Sequence, residues 1–225
     1  MSNTIKFTKT RDVKSPNRGT LESAGIDFYI PTATSDFIYD FASKNVNAHY
    51  KLSCWAHYED VKQVNTIEIF SGENFDEVSI YDVIIGGIIS NFNWLTEDEI
   101  KNVVIDKFEI LIAPHNRILV PSGIKVWIED KSSALIATNK SGIATKKGLV
   151  VGATTIDSDY TGEMHLSVIN TTDDYISVVC GEKLIQFIHT PVILSTMEEV
   201  DNETYDSIST DTDRGAGGFG STGLN

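Results

Sequence analysis

The C-terminal stretch of this chain holds residues that suit phosphate and base binding. Residues 213–223 read DRGAGGFGSTG, in which one cation, one aromatic ring and two hydroxyls are spaced among five glycines. Glycines let backbone N–H groups approach an anion closely, the guanidinium of Arg214 can fork onto a terminal phosphate, and Ser221 and Thr222 add hydroxyl donors. Phe219 offers a ring that can stack on a nucleobase. Composition alone is typical of a flexible Gly/Ser tail, but the fixed places of the cation and the ring favour a lid that orders on a nucleotide.

Two further polar groups lie in the middle of the chain. Residues 139–142 read NKSG and combine a cation, a hydroxyl and a flexible backbone, which makes a small anion site. Residues 157–160 read DSDY, so that one carboxylate can act as a base and the aromatic ring as a platform for a sugar. Taken alone, an Asp-Ser-Asp turn is ordinarily Asx-type capping, and Gln186 in the apolar stretch GEKLIQF is usually a satisfied core amide. The co-occurrence of these groups in one chain is what favours chemistry.

Short strand-like runs dominate both ends of the sequence and must position these groups. The runs are apolar or alternating, carry β-branched residues, and are separated by Gly, Pro, Asn and Asp. This pattern predicts a mainly β domain with a sandwich or jelly-roll architecture. The predicted strands lie within residues 4–10, 25–31, 108–114, 117–128, 133–138, 163–170, 175–180 and 183–193.

A long segment before the middle of the chain interrupts this rhythm of strands. Apolar residues recur at helical spacing between Val78 and Ile88, and Thr96 followed by three acids indicates the start of a second, short helix. The segment carries twelve acidic residues against four lysines, and its aromatic residues suffice for a small core of its own. The predicted domains are a β domain of residues 1–33 and 105–225, with 211–225 as a flexible lid, and an inserted α+β subdomain of unknown role at 34–104.

Composition bounds the class of protein. A chain of 225 residues with 41% hydrophobic content can build a substantial core. A formal net charge of −14 argues against bulk nucleic-acid binding, which needs a basic surface. Cys54 and Cys180 fit no zinc-binding spacing. The N-terminus lacks an apolar signal core and no apolar run reaches the length of a membrane span, so we expect a cytoplasmic protein with neither a nucleic-acid nor a membrane partner.

Five stretches of the chain, in order, resemble the five motifs of the homotrimeric dUTPase family, which hydrolyses dUTP to dUMP and pyrophosphate. Together with the strands between them they cover about two thirds of the chain. The resemblance implies a jelly-roll β-barrel or sandwich, and a homotrimer in which each of three active sites draws on all three subunits. It also implies Mg²⁺ held by the substrate phosphates and by waters, without a direct protein ligand. The stretches are SAGIDFYIP (23–31), NKSGIATKKG (139–148), GATTIDSDYTGE (152–163), GEKLIQF (181–187) and RGAGGFGSTG (214–223).

The resemblance assigns catalytic roles to three residues. Asp157 would be the general base that deprotonates a water for in-line attack on the α-phosphorus of dUTP. Gln186 would help to hold a phosphate or the attacking water. Asp27 would support the metal–water network, as a candidate contact to Mg²⁺ through water.

The other implied site residues would bind the substrate. Residues 140–142 would contact the α- and β-phosphates. The hairpin of residues 151–160 would recognise uracil through backbone groups. The ring of Tyr160 would lie under the deoxyribose and exclude a 2′-hydroxyl. Arg214 would clamp the γ-phosphate, Phe219 would stack on uracil, and the last hydroxyls would close over the phosphates. The set is Lys140, Ser141, Gly142, Ala153, Thr154, Ile156, Tyr160, Arg214, Phe219, Gly220, Ser221 and Thr222. The implied enzyme is a dUTP diphosphatase of nucleotide metabolism, which limits uracil in DNA and supplies dUMP.

The chain departs from the family pattern at three places. Lys140 stands where the family usually has Arg, which keeps the charge and loses bidentate geometry. Thr154 stands where the family usually has Gly, so the uracil hairpin is expected to differ locally. Gly25 and Ser141 are 116 positions apart, far more than the family normally needs between its first two motifs. The extra residues belong to the predicted insertion.

Two other functions stay open at this point. A dCTP deaminase, or a bifunctional deaminase and diphosphatase, shares the fold. Such enzymes use a Glu on the strand after the third motif, where this chain has Ser167, and they lack the RGxGGFGS ending. The other alternative is a dUTPase whose insertion at 34–104 binds a regulatory protein partner.

Overall fold

The chain folds mainly into antiparallel β-strands. A computed structural model describes residues 4–45, 49–58, 61–70 and 104–209 and the single positions 90, 96 and 215. The strands are β1 (Ile5–Lys9), β2 (Asn17–Arg18), β3 (Ile26–Tyr29), β4 (His49–Tyr58), β5 (Val61–Phe70), β6 (Val104–Ile112), β7 (Arg117–Ile128), β8 (Ser133–Thr138), β9 (Leu149–Val151), β10 (Thr155–Ile156), β11 (Glu163–Asn170), β12 (Ile176–Val179) and β13 (Lys183–Pro191).

These strands form three sheets. Their orders are β1-β7-β11-β9, β10-β8-β13-β3-β2 and β12-β6-β4-β5. Consecutive strands from β7 to β11 alternate between the first two sheets, so the chain passes repeatedly from one layer to the other, as in a jelly roll. The predicted mainly β, jelly-roll fold is confirmed, in the form of open sheets without closure into a barrel along the described strands.

Each of the eight runs predicted as strands contains or overlaps an observed strand, and these strands are β1, β3, β6, β7, β8, β11, β12 and β13. The reason is visible in β11, where Met164, Leu166 and Val168 are buried at every second position on one face of the sheet. The hairpin of β4 and β5, with ten residues in each strand, was not predicted. It extends the third sheet through the pairing of β4 with β6.

Helix α1 (Ser35–Lys44) precedes this hairpin and packs into the core. Thr34 is its N-cap, with a hydroxyl that accepts a hydrogen bond from the backbone N–H of Phe37. At the other end, the buried side chain of Asn45 donates to the backbone O of Leu119 at 2.9 Å and accepts from its N–H at 2.7 Å. These two bonds tie the end of α1 to β7.

Two shorter helices follow later in the chain. Helix α2 (Ser141–Lys147) ends at Gly148, which has a φ of 64°, and a Cβ there would lie 2.3 Å from the side chain of Thr172. Only glycine fits that position without strain. Helix α3 (Asn202–Ile208) begins after Asp201, whose carboxylate accepts a backbone N–H of the first turn.

One hydrophobic core contains residues of the sheets and of α1. Phe37 and Phe41 of the helix are fully buried, and their rings contact that of Phe108 edge-on with centroids 6.2 and 6.3 Å apart. Phe28 packs edge-on against Phe187 at 4.8 Å and joins β3 to β13. Such aromatic pairs add stability beyond the area that they bury.

The predicted insertion is only partly described. The helices expected between Val78 and Ile88 and after Thr96 lie outside the described residues, and the boundaries at 34 and 104 stay a prediction. The chain divides into two compact units, Met1–Val192 and Ile193–Asn225. Among the described residues, no helix combines the length and the apolar character needed to cross a bilayer.

Candidate active site

Asp27 lies buried in β3 with a lysine at each carboxylate oxygen. The Nζ of Lys140 is 2.5 Å from Oδ1, and the Nζ of Lys183 is 2.7 Å from Oδ2. Burial by itself raises the pKa of Asp27, but the hydrogen bonds and charges of the two lysines outweigh it and hold the pKa below its usual value. The ionised carboxylate therefore joins the first, second and fourth motifs.

Gln186 lies next to Asp27 in the same sheet. Strand β13 runs between β3 and β8, so Gln186 faces Asp27 on one side and Thr138 on the other. Its Nε2 donates to the backbone O of Asn139 at 3.0 Å. Gly25 approaches so closely that a Cβ there would lie 2.3 Å from the Oε1 of Gln186. The glycine of the first motif thus leaves the space that the amide of the fourth motif occupies.

The second motif leads from β8 into α2 and leaves its backbone open. Lys140 has an extended conformation, with φ −80° and ψ 123°, immediately before the helix. Ser141 and Gly142 are exposed, and a Cβ at Gly142 would meet nothing within 4 Å. Asn139 accepts the backbone N–H of Val151 at 2.7 Å, which ties the motif to β9. A ligand can therefore approach this backbone.

Asp157 follows β10 in a turn whose backbone is held from two sides. The N–H of Tyr160 donates to the backbone O of Asp157 at 3.2 Å, and the Nζ of Lys131 donates to the backbone O of Ser158 at 2.7 Å. Lys131 also lies 4.1 Å from the ring centroid of Trp127. The carboxylate of Asp157 is exposed and makes no hydrogen bond or ion pair within the described part of the chain. It is available to a water molecule.

The ring of Tyr160 is held at its hydroxyl end. The hydroxyl donates to the backbone O of Glu163 at 2.8 Å, while 41% of the residue remains exposed. Glu163 is in turn paired with Arg11, with 2.9 Å between Oε1 and Nε. Burial raises the pKa of Glu163, but the hydrogen bonds from Arg11 and from the N–H of Gly123 outweigh it and lower the pKa.

The segment after β9 crosses from the first sheet to the second. The N–H of Gly152 donates to the O of Ser167 in the first sheet, and the O of Thr154 accepts from the N–H of Ala137 in the second. Thr154 is exposed, Ile156 packs on the core, and Ala153 borders a cavity of about 610 Å³. The cavity is also lined by Lys44, Arg117, Gly152, Ser167 and Ile169.

Asp157 and Gln186 lie apart within one chain. Ile156 pairs with Leu135 on β8, whereas Gln186 pairs with Thr138. With strands about 4.8 Å apart and a rise of about 3.4 Å per residue, these registers separate the two backbones by roughly 16 Å. Both side chains of one chain cannot hold the same water molecule. The first, second and fourth motifs thus form one group and the third motif forms another.

The predicted lid falls outside the described residues. Its residues Arg214, Phe219, Gly220, Ser221 and Thr222 stay predictions, and of the fifth motif the structure describes Gly215 alone, with a φ of 53°.

Four charged residues that the sequence reasoning did not single out support the site. Lys183 holds Asp27, Lys131 holds the turn of Asp157, and Arg11 holds Glu163. Lys183 and Glu163 lie inside the stretches of the fourth and third motifs, so their places marked them as candidates. Nothing local in the sequence marks Arg11 or Lys131, because their partners are set by strand pairing.

The sheets and the two polar groups define a class, a β-sandwich protein with an open backbone beside a lysine and an exposed carboxylate in a hydrogen-bonded turn. Comparison with known proteins narrows this class. The sequence profile of the dUTPase family matches residues 105–223, which is more than half of the chain. The chain belongs to the dUTPase family. The match begins after the predicted insertion, so the first motif falls outside it.

Individual relatives agree with this assignment. The chain is 36% identical over 114 residues to the deoxyuridine 5′-triphosphate nucleotidohydrolase of Legionella pneumophila strain Paris, which covers 50% of this chain and 71% of that protein. It is 38% identical over 116 residues to the enzyme of the same name from Acinetobacter baylyi, covering 51% and 73%. The dUTPase of Staphylococcus bacteriophage 80alpha with dUPNHPP shares the fold with a TM-score of 0.57 at 14% identity, over 99% of this chain and 100% of the phage chain.

Proposed function

We propose that this chain is a dUTP diphosphatase, which hydrolyses dUTP to dUMP and pyrophosphate. Membership of the dUTPase family supports the reaction. The observation that carries the proposal is the exposed carboxylate of Asp157 in a turn whose backbone is held by Lys131 and whose last residue is the anchored Tyr160. A base and a sugar platform are thus built into one rigid segment.

Asp157 acts as the general base in this proposal. Its ionised carboxylate accepts a proton from a water molecule, and the water oxygen forms a bond to the α-phosphorus of dUTP. The bond from the α-phosphorus to the bridging oxygen breaks on the opposite side, and pyrophosphate leaves with the electron pair. A positioned base of this kind contributes about 10²- to 10⁴-fold to the rate.

Lys140 serves as the phosphate-binding cation of the second motif. Its Nζ is paired with Asp27 in this structure, so the substrate phosphates and the carboxylate compete for it. Lys183 keeps Asp27 paired when Lys140 turns to a phosphate. The open backbone at Ser141 and Gly142 provides N–H donors next to that cation.

A homotrimer with shared sites fits the separation of the two groups. Because Asp157 and Gln186 of one chain lie about 16 Å apart, a complete site takes the third motif from one subunit and the other motifs from its neighbours. The segment after β13 supports this arrangement, since Ile193, Leu194 and Met197 are more than 70% exposed in the single chain. Apolar side chains at such exposure favour a subunit contact. The predicted lid of Arg214 to Thr222 completes the site from a neighbouring subunit.

Mg²⁺ is the proposed cofactor, held by the triphosphate and by waters. This ion usually keeps several waters and binds substrate phosphates. The residues of this site fit binding without a direct protein ligand, because both carboxylate oxygens of Asp27 are already held by lysines. A contact from Asp27 to the ion through water would have to compete with these lysines. When bound, Mg²⁺ would neutralise phosphate charge and favour one triphosphate conformer.

Pyrophosphate release from dUTP tests the proposal. The assay compares dUTP with dCTP, dTTP and UTP, with and without EDTA, and follows ammonia release from dCTP in parallel. Asp157→Asn is expected to lose about 10³-fold in kcat, whereas Asp159→Asn, which changes the neighbouring exposed acid, is expected to retain most of the activity. Absence of pyrophosphate release by the folded protein would overturn the proposed reaction. Equal losses in the two variants would overturn the assignment of Asp157 as the base.

A further inference from the structure

Tyr160 is packed against the backbone two residues after it. A Cβ on Gly162 would lie 2.4 Å from the Oη of Tyr160 and 2.6 Å from its Cζ. The ring therefore lies directly over Gly162, and its hydroxyl donates to the backbone O of Glu163. The position of the ring depends on where residue 163 is held.

Glu163 is held by three donors from two other segments. Its Oε1 accepts from the Nε of Arg11 at 2.9 Å and from the N–H of Gly123 at 2.8 Å, and its Oε2 accepts from the hydroxyl of Thr10 at 3.0 Å. The side chains of Arg11 and Glu163 are each only 15% exposed. A partly buried carboxylate with all these hydrogen bonds has a narrow range of positions. The position of the backbone of residue 163 is therefore restricted as well.

Arg11 extends this connection to helix α1. Its guanidinium also donates to the carboxylate of Asp40, and Asp40 accepts from Lys44 one turn further along the helix. Charged contacts thus run from α1 through Arg11 to Glu163, and the hydrogen bond from the Tyr160 hydroxyl to the backbone O of Glu163 extends this series to the ring. All residues in this series of contacts lie in described segments.

We propose that the Arg11–Glu163 pair is a positioning device for the ring of Tyr160, through which helix α1 influences the choice between deoxyribose and ribose. The inference rests on the proposed function, since it concerns the sugar of the nucleoside triphosphate. A ring held at its hydroxyl end keeps a fixed distance from the deoxyribose that lies on it, whereas a displaced ring leaves space for a 2′-hydroxyl. Arg11 and Glu163 are positioning residues and do not contact the substrate.

The ratio of kcat/KM for dUTP to kcat/KM for UTP measures this role. Glu163→Ala is expected to lower the ratio by about 10- to 100-fold, because a misplacement near 1 Å can change a rate by about 10²-fold. Glu163→Gln retains an acceptor and should lie between wild type and Glu163→Ala. Tyr160→Phe removes only the anchoring hydroxyl, and Gly162→Ala displaces the ring. Gly19→Ala is the matched control, because a Cβ there meets only an ordinary contact at 3.6 Å.

A second readout separates positioning from loss of structure. Binding of the imido analogues of dUTP and UTP, measured by calorimetry, should shift in the same ratio, while thermal unfolding confirms that each variant is folded. If Glu163→Ala does not fold, Glu163→Gln and Tyr160→Phe decide the question. An unchanged ratio in the folded variants, with dUTP hydrolysis intact in the wild type, overturns the inference alone. Absence of dUTP hydrolysis in the wild type overturns the proposed function instead.

The contribution of α1 is tested by a double-mutant cycle. Asp40→Asn is expected to lower the dUTP/UTP ratio about threefold in the wild-type background, and to have no further effect in the Glu163→Ala background. Additive effects of the two substitutions would show that α1 acts on the site by another route, and would overturn the coupling through Arg11.

Discussion

Lys140 and Asp27 form an ion pair across 113 positions of the chain, with 2.5 Å between Nζ and Oδ1. The pair joins the second motif to the first, and Lys183 of the fourth motif completes it from the other carboxylate oxygen. Lys140, which is expected to bind phosphate, is therefore paired with a buried carboxylate in this structure. The strength of this pair affects both the stability of the fold and the readiness of Lys140 to bind a substrate.

Replacing Asp27 should change how stability depends on pH. The pKa of Asp27 is lower in the folded protein than its ordinary value of 3.8. Its stabilising contribution is therefore present above that ordinary pKa and is lost as the pH falls through the folded pKa. Asp27→Asn is expected to lower the free energy of unfolding by about 2 kcal/mol at pH 7. This loss is smaller than for a fully buried ion pair, because the lysines reach solvent.

Urea unfolding between pH 3 and pH 7 measures this difference. The gap in the free energy of unfolding between wild type and Asp27→Asn should narrow as the pH falls below about 4. Asp159→Asn, at an exposed position, serves as the control and should follow the wild type at every pH. A gap that stays constant across this range would contradict the ion-pair account.

Replacing Gly25 should disturb the site through Gln186. A Cβ at Gly25 would lie 2.3 Å from the Oε1 of Gln186, so the amide must turn away from Asn139. We expect Gly25→Ala to lower kcat/KM for dUTP by about 10- to 100-fold, because a misplacement near 1 Å can cost about 10²-fold. Gly19→Ala should retain wild-type kinetics.

A double variant tests the cause of the Gly25 effect. In the Gln186→Ala background the amide is gone and only a contact of 3.0 Å to the Cβ of residue 186 remains, so Gly25→Ala should cause a smaller loss there than in the wild-type background. Steady-state kinetics of the four proteins complete the cycle. If the two losses simply multiply, the contact between these residues is not the reason.

Helix α1 should contribute strongly to the stability of the β domain. Phe37 is fully buried against Phe108, so Phe37→Ala is expected to cost about 3 to 5 kcal/mol in the free energy of unfolding. Tyr39, on the same helix, is 57% exposed, and Tyr39→Ala should cost less than about 1 kcal/mol.

The number of unfolding transitions then tests the predicted domain boundary at residue 34. Differential scanning calorimetry of Phe37→Ala should show one shifted transition if the helix and the sheets unfold together. Two transitions, of which the substitution shifts only one, would show that α1 belongs to an independent subdomain.

Asn170 should be needed for the packing of β11 against its neighbours. Its fully buried amide donates to the backbone O of Ile112 and of Asp174, and its oxygen accepts from the N–H of Thr172. Asn170→Ala leaves these groups without partners and is expected to cost about 3 kcal/mol. Asn202→Ala, at an exposed position, should change stability by less than about 0.5 kcal/mol. Chemical denaturation of the two variants gives the comparison, and similar losses would refute this role.

Local patterns in the sequence were sufficient to predict eight of the thirteen described strands, together with the motifs. Burial at alternate residues of β11 and glycine at turns are properties of neighbouring residues, so they can be read without knowing the fold. The family and its reaction followed from the resemblance of five stretches to the motifs of the dUTPase family. Helix α1 was also readable, because Thr34 is an N-cap and apolar residues at 37, 38, 41 and 42 form one face.

The partners of the charged residues were decided only by the tertiary structure. Asp27 and Lys183 are 156 positions apart, and Arg11 and Glu163 are 152 apart. Their contacts depend on the order and register of strands in the sheets, which are cooperative properties of the whole core and leave no periodic trace in the sequence. The sequence by itself therefore determined which residues this protein offers for chemistry. The packing of the sheets and of α1 determined which of those residues are paired with each other and which, like Asp157, are exposed without a side-chain partner among the described residues.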